Sequence, residues 1–401
     1  MLGISISARY VERFKVITAG ICALILTVGL ARFAYTPMLP IMHDEAGLSD
    51  LAAGWLATFN YAGYMMGALI AATMKALSRK FLLYRFGLII AVITTLAMGL
   101  TDNLVLWASL RFIAGISSTA GLLLASGLVL NWLIRERYRP DLGVHFMGLG
   151  LGIIVSGLAI AIMTHDVTWD KQWIFLGIFG LIFFIPAWFW MPAPKPLDID
   201  NISYEQRPIA RQWLILLILA YFCGGFGYVI SATFIVAILE KLPILTGHGG
   251  MVWVIVGLAA VPSSFLWDKV ARPLGKVGAL VLAYGLEIIS FILPVVSDNV
   301  ILNLASAILY GGTFVGIVSL TLSLIGQYFP ENPAKAMARL TLSYGVAQIT
   351  APVMAGYIAE TTGNYHGALI ITAIIMGIGV GLLLRLKKQQ THVLQPVTAV
   401  S

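Results

Sequence analysis

The sequence predicts an all-α integral membrane protein with twelve transmembrane helices in two parallel six-helix repeats. Three observations carry that expectation: a bilayer-like composition, an alternation of basic residues between successive loops, and an ungapped repeat at a spacing of 196 residues. Hydrophobic side chains supply 59% and charged ones 11% of the 401 residues, whereas a soluble domain carries roughly 25% charged residues. Twelve helices of about 20 residues use about 240 positions. Little chain is left, so a sizeable soluble domain, a nucleic-acid reader and a disordered scaffold are excluded. The net charge of +7 is loop charge and not a nucleic-acid footprint. Cys22 and Cys223 lie in apolar runs and suggest neither a disulfide nor a metal site. The first apolar run is long and carries Arg32, which reads as a retained span and not as a cleaved signal.

Apolar runs bounded by charge or turn residues give the spans in order. Spans one to six cover 16–36, 51–73, 84–100, 104–133, 142–164 and 171–191, and spans seven to twelve cover 211–239, 248–266, 277–296, 299–328, 334–359 and 366–386. Backbone in lipid must satisfy its own hydrogen bonds, and these runs are too long for barrel strands, so they are helices. The expected domains are an N-terminal half, 1–191, a central cytoplasmic loop, 192–210, and a C-terminal half, 211–401. Basic residues accumulate on the cytoplasmic side of membranes. With both termini inside, 21 of the 25 Lys and Arg residues fall in cytoplasmic segments. Lys171 and Lys241 alone fall outside, and Arg32 and Arg111 lie within spans.

The repeat carries Gly29 to Gly225, Gly54 to Gly250, Leu106 to Leu302 and Gly115 to Gly311. It also carries Thr101-Asp102-Asn103 to Ser297-Asp298-Asn299. A duplicated unit with an even number of helices enters the membrane twice in the same sense, which predicts parallel repeats about an axis along the membrane normal.

With two six-helix halves, a central loop and both termini inside, the chain resembles the major facilitator superfamily. More narrowly, Gly29-Leu-Ala-Arg32-Phe-Ala-Tyr-Thr-Pro37-Met-Leu-Pro40 followed by Asn60-Tyr-Ala-Gly-Tyr64 resembles the YbfB-like branch of bacterial permeases. Arg111-Phe-Ile-Ala-Gly115 is similar to the Arg-x-x-x-Gly motif that the superfamily associates with proton coupling. The run from Gly67 through Lys75, Arg79 and Lys80 resembles its gating loop but lacks the usual acidic residue. The counterpart after span eight, from Trp267 to Lys276, is also irregular. Span five has Gly148, Gly150, Gly152 and Gly157 without the proline associated with antiporters, which weakens an efflux reading.

A charge at bilayer depth costs at least about 2.5 to 3.5 kcal/mol on insertion scales, so Arg32 and Arg111 need a bundle interior or a watery cavity. Each lies eight residues from an external boundary, Pro40 and Asn103, or about 12 Å deep at 1.5 Å per residue. The repeat places Tyr228 and Ala307 at their equivalents. A purely architectural need would recur, so the asymmetry points to a one-sided site that suits an anion. The alternative is that either arginine holds backbone carbonyls as fixed glue. Tyr35, three residues from Arg32 on the same face, Asn60 and Tyr64, on one face of span two, Ser118, two turns along from Arg111, and Tyr228, Tyr344 and Gln348 complete the expected substrate site, and Tyr221 shares a face with Tyr228. Each of these is alternatively a helix-helix contact. Arg111, Glu287 and His145 are the candidates for coupling.

The function expected is secondary transport of a small organic solute by alternating access, as proton-coupled uptake of an organic anion, in a bacterial inner membrane. Efflux of amphipathic or cationic compounds, and a sensor that does not transport, are the alternatives. An enzyme is not expected, because the six histidines are scattered. Nor is a cofactor, and ATP drive is not expected, since no Gly-rich loop ending in Gly-Lys-Ser or Gly-Lys-Thr occurs. The partners expected are the solute, a proton and the lipid bilayer, with no nucleic acid and with the monomer as the functional unit.

Overall fold

The computed structural model describes residues 2–74, 76–139, 142–195, 211–328 and 333–393. Among them every regular element is a helix. Span one runs through Leu2–Leu24, a π-helical stretch Ile25–Phe33 and Tyr35–Ala46, and span two is Asp50–Thr73. Spans three, five and six are Leu77–Met98, Gly143–Met163 and Trp169–Phe189. Span four joins Leu104–Thr119, a second π-helical stretch Ala120–Ala125 and Ser126–Arg135. Span seven is Arg211–Leu239, and spans ten to twelve are Val300–Tyr328, Pro333–Thr362 and His366–Val393.

Spans eight and nine differ from the expected pair of separate helices. Span eight starts as Gly249–Ala260, breaks at Pro262, which has no N–H to donate, and resumes at Ser263. The helical stretch from there, Ser263–Val296, contains both the rest of span eight and span nine, turned at Gly275 with φ of 71°. Only glycine adopts that left-handed conformation at no steric cost. Nine helical stretches among the described residues are long and apolar enough to cross a membrane. Spans two and eleven fall short of that measure, and they pack on each other across the two halves, where small and polar residues replace lipid-facing ones.

The duplication is visible atom by atom. Asn103 Oδ1 accepts from the N–H groups of Val105 and Leu106, and its equivalent Asn299 Oδ1 accepts from Ile301 and Leu302. Both asparagines cap a helix start in the same way. Gly115 sits against the Asn60 carbonyl and Gly311 against that of Val256, which is again Asn60 advanced by 196. Two side chains touch their own repeat equivalents: an Arg32 Nη donates to the Tyr228 hydroxyl at 3.5 Å, and Thr36 Oγ1 donates to the Ala232 carbonyl, each across 196 residues. A residue can meet its equivalent only on the axis that relates the halves. That axis therefore passes between spans one and seven, beside Arg32.

Large apolar side chains point outward over the whole belt, including Val105, Ile162 and Phe189 at 72–77% exposure, as lipid contact requires. The halves meet at the face predicted to be external. There Gly54 sits on the Pro352 carbonyl, Thr58 donates to Ile349 O at 2.8 Å, and Tyr365 donates its hydroxyl to Asp50 at 2.6 Å. Gly250 meets Gly157 in the equivalent contact of spans eight and five. The structure is closed on that side.

Candidate functional site

Arg32 is 4% exposed, although it lies on the interface between the halves. Its guanidinium carbon stands 4.4 Å from the ring centre of Tyr61, 4.9 Å from Tyr64 and 5.7 Å from Phe33. Tyr228 closes the cage from span seven. Its ring lies edge-on to Tyr61 at 6.3 Å and close to Tyr344 and Phe314 at 5.7 and 5.6 Å. Tyr221 leans on Tyr344 at 4.5 Å. Cation–π contacts hold a desolvated guanidinium while leaving its N–H groups for a ligand. Among the described residues the ion pairs are His43–Asp44 and Arg135–Glu136, so Arg32 has no carboxylate partner. Its Nε has no hydrogen-bond acceptor, and the Tyr344 hydroxyl is likewise buried without a partner.

Arg111 lies at the same level and is used differently. Its Nη1 donates to Ala31 O at 3.2 Å, its Nη2 donates to Arg32 O at 3.5 Å, and its guanidinium covers the Tyr35 ring at 4.4 Å. Both carbonyls end the π-helical stretch of span one, where Ala34 N donates to Gly29 O, five residues back. The wider turn rotates the residues after it. Tyr35 consequently stacks with Arg111 and donates its hydroxyl to Ala53 O at 3.0 Å, in place of the shared face with Arg32 that helical spacing implied.

The other candidates divide between the cage and the helix contacts. Tyr64, Tyr228 and Tyr344 belong to the cage, and Gln348 is buried one turn from Tyr344. Asn60 donates to Arg111 O at 2.8 Å and Ser118 donates to Thr27 O at 3.0 Å, which ties spans two and four and spans four and one together. His145 shares a 2.8 Å hydrogen bond with Ser126 and packs on Gly20, wholly within the first six spans. Gly67 lies against Thr119, Arg79 is exposed and Lys80 half-buried, and Lys75 lies outside the described residues. Neither Arg79 nor Lys80 forms an ion pair among the described residues. Tyr61 and Phe314 were not expected at the site. Tyr61 had a legible signal, since it precedes Tyr64 by three residues on the helix face already suspected.

A profile described as "Uncharacterised MFS-type transporter YbfB" matches residues 24–384. The chain belongs to this family of major facilitator transporters. It is 24% identical over 366 residues to the "Uncharacterized MFS-type transporter YceJ" of Bacillus subtilis, covering 88% of this chain and 92% of the relative. It is 22% identical over 400 residues to the "Probable sulfoacetate transporter SauU" of Cupriavidus necator, covering 89% and 90%. Among solved structures, the nucleoside transporter NupG superposes with a TM-score of 0.70 at 13% identity over 94% of this chain and 99% of that one. The human organic anion transporter MFSD10 superposes with a TM-score of 0.66 at 15% identity over 92% and 99%. The protein is thus a multi-pass membrane transporter and not an enzyme.

At the closed mouth of the transporter a cleft of about 500 Å³ is lined by His43, Asp44, Glu45, Asp50, Glu240, Lys241 and Tyr365, among others. Glu240 Oε1 accepts from Gly249 N at 2.6 Å, at the start of span eight. Burial, reinforced by Asp44, pushes its carboxyl up from 4.5 to about 7, against the opposing pull of that N–H and of His248. A carboxyl whose folded value is raised binds protons more tightly than the unfolded chain does, so it favours the fold at low pH and loses that contribution as pH climbs. Thermal midpoints of the wild type should therefore fall between about pH 4.5 and 7 by an amount that Glu240→Gln removes. Identical pH profiles in the two proteins would refute the assignment.

Proposed function

We propose that the protein takes up a small organic anion together with a proton, working as a monomer in the bacterial inner membrane with both termini cytoplasmic. Alternating access arises as one six-helix half rocks against the other around the site at Arg32. The observation that carries this reading is Arg32 itself: a guanidinium buried between the halves, held by aromatic rings, with no counter-charge among the described residues and with Nε unused. Such a group at bilayer depth costs at least about 2.5 to 3.5 kcal/mol on insertion scales, and a bound carboxylate or sulfonate offsets that cost through bidentate hydrogen bonds. The names of two similar proteins point the same way. One is called a sulfoacetate transporter and the other an organic anion transporter.

The test is thermal unfolding of purified wild type and Arg32→Gln against sulfoacetate, other small carboxylates and sulfonates, and hydrophobic cations. A ligand at about 100 times its dissociation constant adds about 2.7 kcal/mol of stability. Anions are expected to stabilise the wild type and not Arg32→Gln, with the variant still folded. The acidic cleft at the mouth favours a second reading, release of a hydrophobic cation through a tyrosine-lined path. Stabilisation of both proteins by cations alone would establish that reading and remove the first.

A further inference from the structure

Glu287 is the one acidic side chain fully buried among the described residues. It stands in span nine, and neither carboxylate oxygen has a hydrogen-bond partner. Its Oε1 lies against span seven, 3.2 Å from where a methyl on Gly227 would stand, with the Met376 thioether of span twelve beside the same glycine. The next residue is Tyr228, whose hydroxyl accepts from Arg32 and whose carbonyl accepts from the Tyr310 hydroxyl at 3.0 Å. A single peptide unit therefore separates the buried carboxyl from the residue that touches the caged arginine. Among the described residues the titratable groups that face Glu287 are tyrosines: Tyr284 on its own helix, Tyr310, and Tyr344, whose hydroxyl is also unpartnered. The nearest cation along this path is Arg32, beyond Tyr228 and Tyr310.

We propose that Glu287 binds the transported proton and that its occupancy selects the conformation. Neutral, the carboxyl stays packed on Gly227 with the mouth closed. Ionised, it has no donor in this packing, and a bare buried carboxylate is strongly disfavoured. Span seven then shifts, the Arg32–Tyr228 contact parts and the mouth opens. The step moves only a proton, taken onto a carboxylate oxygen from water on one side and returned to water on the other. The inference rests on the proton-coupled reading above, but its test needs no substrate, so it can fail while anion binding stands.

Labels are placed at Leu100→Cys and Ile244→Cys, exposed positions at the mouth with one in each half, and their separation is measured in nanodiscs from mildly acid to mildly alkaline pH. The wild-type separation should lengthen as pH rises. Glu287→Gln should hold the short separation throughout, and Glu287→Asp should restore the response. In parallel, the infrared carboxyl band of Glu240→Gln, which removes the titrating carboxyl at the mouth, should decline in step with the lengthening, which keeps the test valid if the Glu287→Gln variant does not fold. A wild type that ignores pH, a glutamine variant that responds like wild type, or a carboxyl band that does not follow the opening would overturn the proposal.

Discussion

Arg111→Leu is expected to deplete folded protein from the membrane, whereas Arg32→Gln leaves it folded. The two arginines have the same residue type, depth and burial, and they differ in what their N–H groups reach. Arg111 donates to the carbonyls of Ala31 and Arg32 and lies over Tyr35, while its own carbonyl accepts from Asn60. Hydrogen bonds from charged donors contribute about 1.5 to 3 kcal/mol each. With one of the two bonds long, the loss comes to about 3 to 5 kcal/mol, a large share of the 5 to 15 kcal/mol typical of a fold. Arg111→Lys should rescue little, because a single ammonium cannot span two carbonyls and cover a ring as a planar fork does. The monodisperse fraction after size exclusion in detergent, together with the thermal midpoint, measures the effect. An Arg111→Leu protein as abundant and stable as wild type would show that the two carbonyl contacts are dispensable.

This division of labour was not legible in the sequence, and the reason is physical. Composition, loop charge and the 196-residue repeat dictate twelve spans because they report what lipid demands of a backbone and of loop cations. The same repeat reappears as matched caps at Asn103 and Asn299 and as Arg32 meeting Tyr228. Side-chain pairing inside the bundle depends on helix phase, which the π-helical stretch Ile25–Phe33 resets without a marker in Ile-Leu-Thr-Val-Gly-Leu-Ala-Arg-Phe. Counting three residues from Arg32 to Tyr35 therefore pairs the tyrosine with the wrong arginine. Tyr61 and Phe314 escaped for a different reason: aromatic residues are common in every span, and only the position of the guanidinium singles these two out.

Gly54→Leu and Gly115→Leu, chemically the same change at two different contacts of span two, are expected to fail in different ways. Both glycines lie where another backbone comes too close for a side chain. A Cβ on Gly115 would overlap the Asn60 carbonyl, and one on Gly54 would overlap the Pro352 carbonyl. In neither case is the obstacle a flexible side chain that can turn away, so overpacking costs at least the usual 1 to 3 kcal/mol. Gly115 belongs to the contact of spans four and two, inside one half, which must persist through the whole transport cycle. Its substitution should therefore prevent folding, as should Gly311→Leu at the equivalent contact with Val256. Gly54 belongs to the contact of spans two and eleven, between the halves at the closed mouth, which alternating access must part. A leucine there can be accommodated by opening. The Gly54→Leu protein should fold, show a lengthened separation between labels at Leu100→Cys and Ile244→Cys at every pH, and lose most solute flux while keeping solute binding. If Gly54→Leu instead lowers the folded yield as Gly115→Leu does, the contact of spans two and eleven is a permanent part of the fold, and the mouth opens by some other movement than the parting of these helices.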